Sequence, residues 1–105
     1  MPIHVTEAEA VVLGPLWRLG ALTPARLMQE VKAVQPWADT TIKTLLARLA
    51  RKKAVAAERL EGAVRYRALI AREAYVEAEV RALTERLFGG DEVALAAWLK
   101  ARGRV

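Results

Sequence analysis

Basic side chains and threonines share one side of a helix predicted near the middle of the chain. Residues 39–72 hold nine Lys or Arg against three acids, and no acid occurs from Thr40 to Ala57. On a helical wheel, the side opposite the leucines holds Thr40, Lys43, Thr44, Ala47, Arg48 and Arg51. Lys and Arg bond phosphates or guanine N7 and O6, and Thr can contact a thymine methyl group. This pattern favours contact with nucleic acid over an ordinary solvated face.

The net charge of +5 comes from this same stretch. Residues 1–38 are neutral overall and residues 73–105 carry a net charge of −1, so residues 39–72 carry +6. Positive charge concentrated in this way is typical of nucleic-acid-binding proteins. A merely solubilising surface would have the same composition, so charge alone leaves both interpretations open.

Enzyme chemistry has little support in the sequence. The chain contains no Ser and no Cys, which excludes Ser-His-Asp and Cys-His arrangements, and its one His is His4. It also has no phosphate-binding glycine loop and no His-Glu-x-x-His motif. We therefore expect no enzymatic activity, no cofactor and no metal site.

Two helices are predicted before the basic one. Thr6-Glu-Ala-Glu9 has the form of a capping box, and the helix that it starts is expected to run through Pro15 and end at Gly20. Thr23-Pro24 supplies an N-cap and a first-turn proline for the second helix. Gln35-Pro36 is expected to stop that helix, because the residue before a proline avoids helical geometry.

The third predicted helix spans about residues 40–52, with Asp39 or Thr40 as its N-cap. Its apolar positions have helical spacing and are expected to dock it onto the domain: Ile42, Leu45, Leu46 and Leu49. Lys52 and Lys53 fall outside the basic face. We interpret these two lysines as solvated charge ahead of the next element.

A β-hairpin is predicted after this helix, because the apolar period changes from 3.6 to about 2. Residues 54–59 and 64–68 form its strands, and Glu61-Gly62 forms a tight turn. Arg65 and Arg67 share one strand face, where a wing would touch the DNA backbone. For each arginine singly, a solvated outer face explains the position equally well.

Residues 72–105 are predicted to be a helical dimerisation region following a DNA-binding domain at residues 1–71. One helix runs from about Arg72 to Phe88, and Asp91 caps a second helix that is apolar almost all round. Such a helix needs partners on every side. The residues expected at the dimer interface are Val76, Val80, Leu83, Leu87, Phe88, Val93, Leu95, Trp98 and Leu99.

Trp37 and the segment Thr41-Ile-Lys-Thr-Leu-Leu-Ala-Arg-Leu49 resemble the W…TVxTLLxRL pattern of the penicillinase-repressor family (BlaI/MecI, with the related copper-responsive CopY branch). Further matches are Val5-Thr-Glu-Ala-Glu9, Leu16-Trp17, Glu61-Gly62, Arg65-Tyr-Arg67 and Arg86-Leu-Phe-Gly-Gly90. The resemblance implies a mainly α fold with a small β-hairpin: a winged helix-turn-helix domain followed by C-terminal dimerisation helices. The positions that it implies for the recognition helix are Thr41, Lys43, Thr44 and Arg48.

The chain departs from the family pattern at its regulatory features. β-Lactam-responsive members are inactivated by cleavage of an Asn-Phe bond, but this chain has no Asn, and Ala96-Ala97-Trp98-Leu99 stands at the matching place. Either the cleavage site differs or the protein answers another signal. The cysteine hook of the CopY branch is absent, so direct copper sensing is not expected. The C-terminal region is also shorter than is usual for the family.

Together with the basic helix face, the resemblance implies a homodimeric repressor of transcription that binds a double-stranded DNA operator with dyad symmetry. Weakening or proteolysis of the dimer arm, for instance by a membrane-bound sensor metallopeptidase, would relieve repression. No apolar run could span a membrane and the first ten residues do not form a signal peptide, so a cytoplasmic location is expected. The alternatives are a winged-helix module that binds an acidic protein and a regulator with a small-molecule pocket.

Overall fold

The computed structural model describes residues 3–103, which form five helices and one antiparallel hairpin. The helices are α1 (Glu7–Leu19), α2 (Pro24–Lys32), α3 (Asp39–Arg51), α4 (Arg72–Phe88) and α5 (Glu92–Ala101). The strands are β1 (Val55–Leu60) and β2 (Ala63–Ala68). These elements form two compact units, one ending at Ala71 and the other beginning at Arg72.

The start of α1 has the predicted capping box. The Thr6 hydroxyl accepts a hydrogen bond from the Glu9 amide at 3.2 Å, and Glu9 Oε1 accepts one from the Thr6 amide at 2.9 Å. The helix continues through Pro15 and ends at Gly20, whose φ of 85° favours glycine. The prediction of one helix that continues through Pro15, rather than two shorter helices, is therefore confirmed.

The second helix begins as predicted and ends earlier than predicted. The Thr23 hydroxyl accepts a bond from the Arg26 amide, and Pro24 is the first helical residue. α2 ends at Lys32, because the next residues close a turn in which the amides of Val34 and Gln35 both donate to the Val31 carbonyl. The predicted stop at Gln35-Pro36 thus lies three residues too late.

The third helix is docked as predicted but capped differently. Ile42, Leu45, Leu46 and Leu49 are all buried, and α3 packs against α1, α2 and β1. The predicted N-cap at Asp39 or Thr40 is wrong, because Ala38 holds that position and makes no capping bond. Asp39 is instead the first helical residue, and its carboxylate pairs with Lys32 of α2.

The hairpin forms at the predicted turn. Glu61 and Gly62 have φ values of 53° and 79°, the two successive positive angles of a turn whose twist matches that of the strands. This turn sets a register in which Glu58 faces Arg65 and Ala57 faces Tyr66. Leu22 adds a one-residue bridge to Tyr66, a pairing that the sequence pattern did not indicate.

An ion pair whose carboxylate is buried joins α1 to the end of α3. Glu9 is 1% exposed, and Lys52 Nζ lies 2.7 Å from its Oε1 atom. Lys52 Nζ also donates to the His4 carbonyl at 2.9 Å. The interpretation of Lys52 as solvated charge is therefore wrong, since this lysine ties together two elements of the core.

The second unit consists of α4 and α5. Asp91 caps α5 as predicted, with its Oδ1 atom accepting bonds from the amides of Val93 and Ala94 at 3.0 and 3.1 Å. Thr84 is the one buried residue of these two helices, and it is polar. The apolar side chains of this unit consequently remain partly or fully accessible within one chain.

Within residues 3–103, no helix is both long and apolar enough to cross a bilayer.

Candidate nucleic-acid interface

The outward side of α3 is the strongest candidate for a binding surface. Its four apolar side chains are buried, which turns the opposite side to solvent. All six residues proposed from the sequence on this helix are exposed: Thr40, Thr41, Lys43, Thr44, Arg48 and Arg51. We call this set the α3 face.

A shallow depression of about 270 Å³ lies on the α3 face. It is lined by Thr40, Thr41, Thr44, Leu45 and Arg48. Leu45, which is 5% exposed, provides an apolar part of a lining that otherwise carries hydroxyl groups and one guanidinium. The depression thus combines a donor suited to phosphate or guanine with methyl groups suited to an apolar base edge.

The hydroxyl of Thr44 is already engaged within the helix. Its Oγ1 atom donates to the Thr40 carbonyl at 2.9 Å, one turn earlier. This bond uses the single hydroxyl proton and leaves the oxygen lone pairs and the methyl group for other contacts. Thr44 is therefore better suited to an apolar contact, or to accepting a bond, than to donating one to a phosphate.

The cations of the α3 face are not paired with acids. In the part of the chain that the structure describes, no ion pair involves Lys43, Arg48 or Arg51. By contrast, Arg18 and Arg26 both contact Glu30. The solvent-exposed side of α3 thus carries three cations whose charge no acid among the described residues neutralises through an ion pair.

Asp39 is the acid nearest to this face, and its charge is largely compensated. The hydrogen bond and the charge of Lys32 hold the pKa of Asp39 below its usual value, and Lys43, one turn later, adds to the same effect. The carboxylate therefore stays ionised and paired near neutral pH. Its ion pair is with Lys32, and among the described residues it forms none with Lys43, Arg48 or Arg51.

The arginines of the hairpin differ in their contacts with other residues of the chain. Arg67 Nε lies 2.9 Å from Glu58 Oε1, whereas no ion pair of Arg65 occurs among residues 3–103. Arg59 Nη1 donates to the Gly62 carbonyl at 3.2 Å and so fastens the turn. Of the two arginines predicted to contact DNA here, Arg65 is thus the one left unpaired.

Comparison with known proteins identifies the family. The profile of the penicillinase repressor family matches residues 5–104 of the chain. The chain belongs to the penicillinase repressor family. This result confirms the resemblance drawn from the motifs around Trp37 and Thr41–Leu49.

The fold of this penicillinase-repressor chain is similar to two solved structures. One is the solution structure of the DNA-binding domain of the repressor BlaI, with a TM-score of 0.62 and 23% identity, covering 71% of this chain and 92% of that one. The other is a MarR-family protein from Bacillus stearothermophilus, with a TM-score of 0.55 and 26% identity, covering 95% of this chain and 71% of that one. The winged helix-turn-helix fold predicted from the sequence is confirmed.

A curated relative from Latilactobacillus sakei is an uncharacterised 16.5 kDa protein in the ptsI 3′ region. It is 29% identical over 86 residues, which are 82% of this chain and 59% of the relative. The penicillinase-repressor chain thus spans about three fifths of that protein's length.

Proposed function

We propose that this chain represses transcription by binding double-stranded DNA as a homodimer on an operator with dyad symmetry. One observation carries the proposal: α3 is anchored by four buried apolar residues, and the three cations on its open side pair with no acid among residues 3–103. A helix of this kind fits the major groove, which is wide enough to admit it. The likeness to the DNA-binding domain of the repressor BlaI supports the same use.

The roles within the α3 face follow from the chemistry of each side chain. Arg48, beside the depression, is suited to bidentate bonds with guanine O6 and N7. Lys43 and Arg51 are suited to phosphates on either side. Thr41 and the methyl group of Thr44 would line the edge of the neighbouring base pair.

The wing would add backbone contacts. Arg65 lies on the same hairpin face as Arg67 and has no ion pair in the described residues. Phosphate contacts fix the register of a protein on DNA but carry no sequence information themselves. We therefore assign to Arg65 and Arg67 of the wing the role of fixing the position of the protein on DNA, and to α3 the recognition of bases.

Residues 72–105 would supply the dimer contact, with residues 1–71 as the DNA-binding domain. Four side chains expected at the interface are the most exposed there: Val80, Leu87, Val93 and Trp98, at 44%, 60%, 78% and 43%. Exposed apolar surface of this kind often marks a protein interface. A second copy of α4 and α5 would cover these side chains and place two recognition helices on a dyad operator.

Weakening the dimer would relieve repression, because each subunit alone contacts only half of the operator. Proteolysis within residues 72–105 by a membrane-bound sensor metallopeptidase is one route. The chain has no Asn, so such a cut would fall at another bond than Asn-Phe. An adjacent gene for a metallopeptidase would support this route.

Salt dependence tests the proposal. Three of the cations assigned to phosphates have no ion pair among residues 3–103: Lys43, Arg51 and Arg65. Three such contacts per subunit, six per dimer, predict that the logarithm of the DNA association constant falls with the logarithm of salt concentration with a slope of about −5. Fluorescence anisotropy of a labelled duplex over roughly 50–200 mM KCl would measure this slope. Binding that is undetectable at the low-salt end would contradict the proposal and favour a module for binding acidic proteins.

A further inference from the structure

The charged residues of the wing are arranged around Glu58. Its carboxylate oxygen Oε1 lies 2.9 Å from Arg67 Nε, and the residue stands directly opposite Arg65 in the strand register. In an antiparallel pair, a residue shares its face with the one opposite and with that residue's neighbours two positions away. Glu58 therefore shares one face with Arg65 and Arg67, the two arginines of β2.

This placement puts an acid among the groups that would meet phosphate. The side chain of Arg67 is 50% exposed and that of Glu58 is 35% exposed, so their ion pair is open to solvent. Arg67 uses its Nε–H for Glu58, and that carboxylate already compensates the charge of the guanidinium. A phosphate that approached the remaining N–H groups of Arg67 would also come close to the Glu58 carboxylate, where like charges repel.

We propose that Glu58 withholds Arg67 from DNA and so limits the strength of the wing's contact with the backbone. Glu58 is a positioning residue in this proposal, since it acts on DNA binding through Arg67. A repressor restrained in this way makes one fewer phosphate contact per subunit and is correspondingly easier to release. The inference rests on the proposed DNA-binding function and adds to it an internal limit on affinity.

A second wing acid provides a matched control. Glu61 lies at the exposed tip of the hairpin, and no ion pair of Glu61 occurs among residues 3–103. Glu61→Gln removes the same charge from the wing as Glu58→Gln, but it releases no arginine. General repulsion of phosphates would appear in both variants, whereas release of Arg67 would appear in Glu58→Gln alone.

The test compares five full-length proteins: the wild type, Glu58→Gln, Glu61→Gln, Arg67→Ala and the double variant Glu58→Gln/Arg67→Ala. Each is titrated onto one mixed-sequence duplex over roughly 50–200 mM KCl, since phosphate contacts do not require an operator sequence. Far-UV circular dichroism checks that all five fold alike. The glutamine amide still accepts a bond from Arg67, but it carries no negative charge to compensate the guanidinium or to repel a phosphate.

One added phosphate contact per subunit makes the salt slope steeper by about 0.9 for each subunit bound. We expect this change in Glu58→Gln, with tighter binding of about threefold or more per subunit at the low-salt end. In the Arg67→Ala background, Glu58→Gln should leave the slope unchanged, and Glu61→Gln should change it far less than Glu58→Gln does.

Three outcomes distinguish failure of this inference from failure of the proposed function. An unchanged slope in Glu58→Gln, or a steeper slope that persists without Arg67, overturns the restraint but leaves DNA binding in place. A wild-type protein that shows no salt-dependent binding to the duplex overturns both.

Discussion

Glu9 and Lys52 form an ion pair within the first unit in which the carboxylate is buried. Glu9 Oε1 accepts bonds from both the Thr6 amide and Lys52 Nζ, at 2.9 and 2.7 Å, while the residue is 1% exposed. Burial raises the pKa of Glu9, but the bonds and charge of Lys52 and the Thr6 bonds outweigh burial and hold it below its usual value. The folded protein therefore stabilises the ionised carboxylate.

This lowered pKa predicts an acid-sensitive contribution to stability. A carboxyl group whose pKa is depressed by folding stabilises the protein above its unfolded-state pKa of 4.5, and the contribution is lost as pH falls through the lower folded-state value. We expect Glu9→Gln to lower the free energy of unfolding by about 1–2 kcal/mol at neutral pH. The difference from the wild type should shrink as the pH falls below 4.5, and urea titrations at several pH values would measure it.

Glu7→Gln is the matched control, because it removes an exposed carboxylate from the same first turn of α1. Its effect should stay within about 0.5 kcal/mol, as is usual at surface positions. If Glu9→Gln were as stable as the wild type at neutral pH, the Lys52 contact would not hold the unit together.

The sequence predicted one part of this contact and missed the other. The capping box is local, since Thr6 and Glu9 are three residues apart, and the motif alone indicated it. Lys52 is 43 residues away from Glu9, and no spacing rule links them. Its position after the last leucine of α3 looked like solvated charge because only the folded chain brings it to Glu9.

At the scale of elements, each helix was predictable where local chemistry decides its ends. Thr23-Pro24 begins α2 and Asp91 caps α5, both through contacts within a few residues. The predicted N-cap of α3 was wrong because the Asp39 carboxylate, which was expected to cap the helix, forms an ion pair with Lys32 of α2 instead. Tertiary pairing overrides local capping preference at this junction.

In the wing, the strand register could be predicted from the local sequence, but the ion pair of Glu58 could not. A two-residue turn at Glu61-Gly62 fixes the strand register, so the placement of Glu58 opposite Arg65 follows from the predicted turn. Which arginine Glu58 binds does not follow from register. That choice depends on side-chain conformation, and the structure assigns it to Arg67, diagonally across the ladder.

The exposed seam of α4 predicts how the second unit behaves. Val80 and Leu87 lie seven residues apart on one helix face and are 44% and 60% exposed. Val80→Glu/Leu87→Glu would bury two like charges in each half of a symmetric interface and should convert a dimer to a monomer. Light scattering at micromolar concentration would measure the mass, and a wild-type protein that is itself monomeric there would contradict the dimer proposal.

At the scale of the whole molecule, the excess positive charge and the proposed dimer contact lie in different parts of the chain. The excess positive charge lies in residues 39–72, and the side chains proposed for the dimer contact lie in α4 and α5, although both units expose large apolar side chains. In a homodimer, the second unit would double the number of DNA contacts without itself touching DNA. Operator affinity should therefore depend steeply on dimer integrity as well as on the α3 face.

The central claim is that the α3 face binds DNA, and the salt slope of Lys43→Ala/Arg51→Ala tests it most directly, because both side chains are assigned to phosphates. The control is Arg81→Ala/Lys100→Ala, which removes two exposed cations from α4 and α5. We predict that the α3 variant keeps the wild-type mass in light scattering and loses about 0.9 of slope for each phosphate contact removed, while the control keeps the wild-type slope. An α3 variant that binds a duplex with the affinity and slope of the wild type would contradict the account.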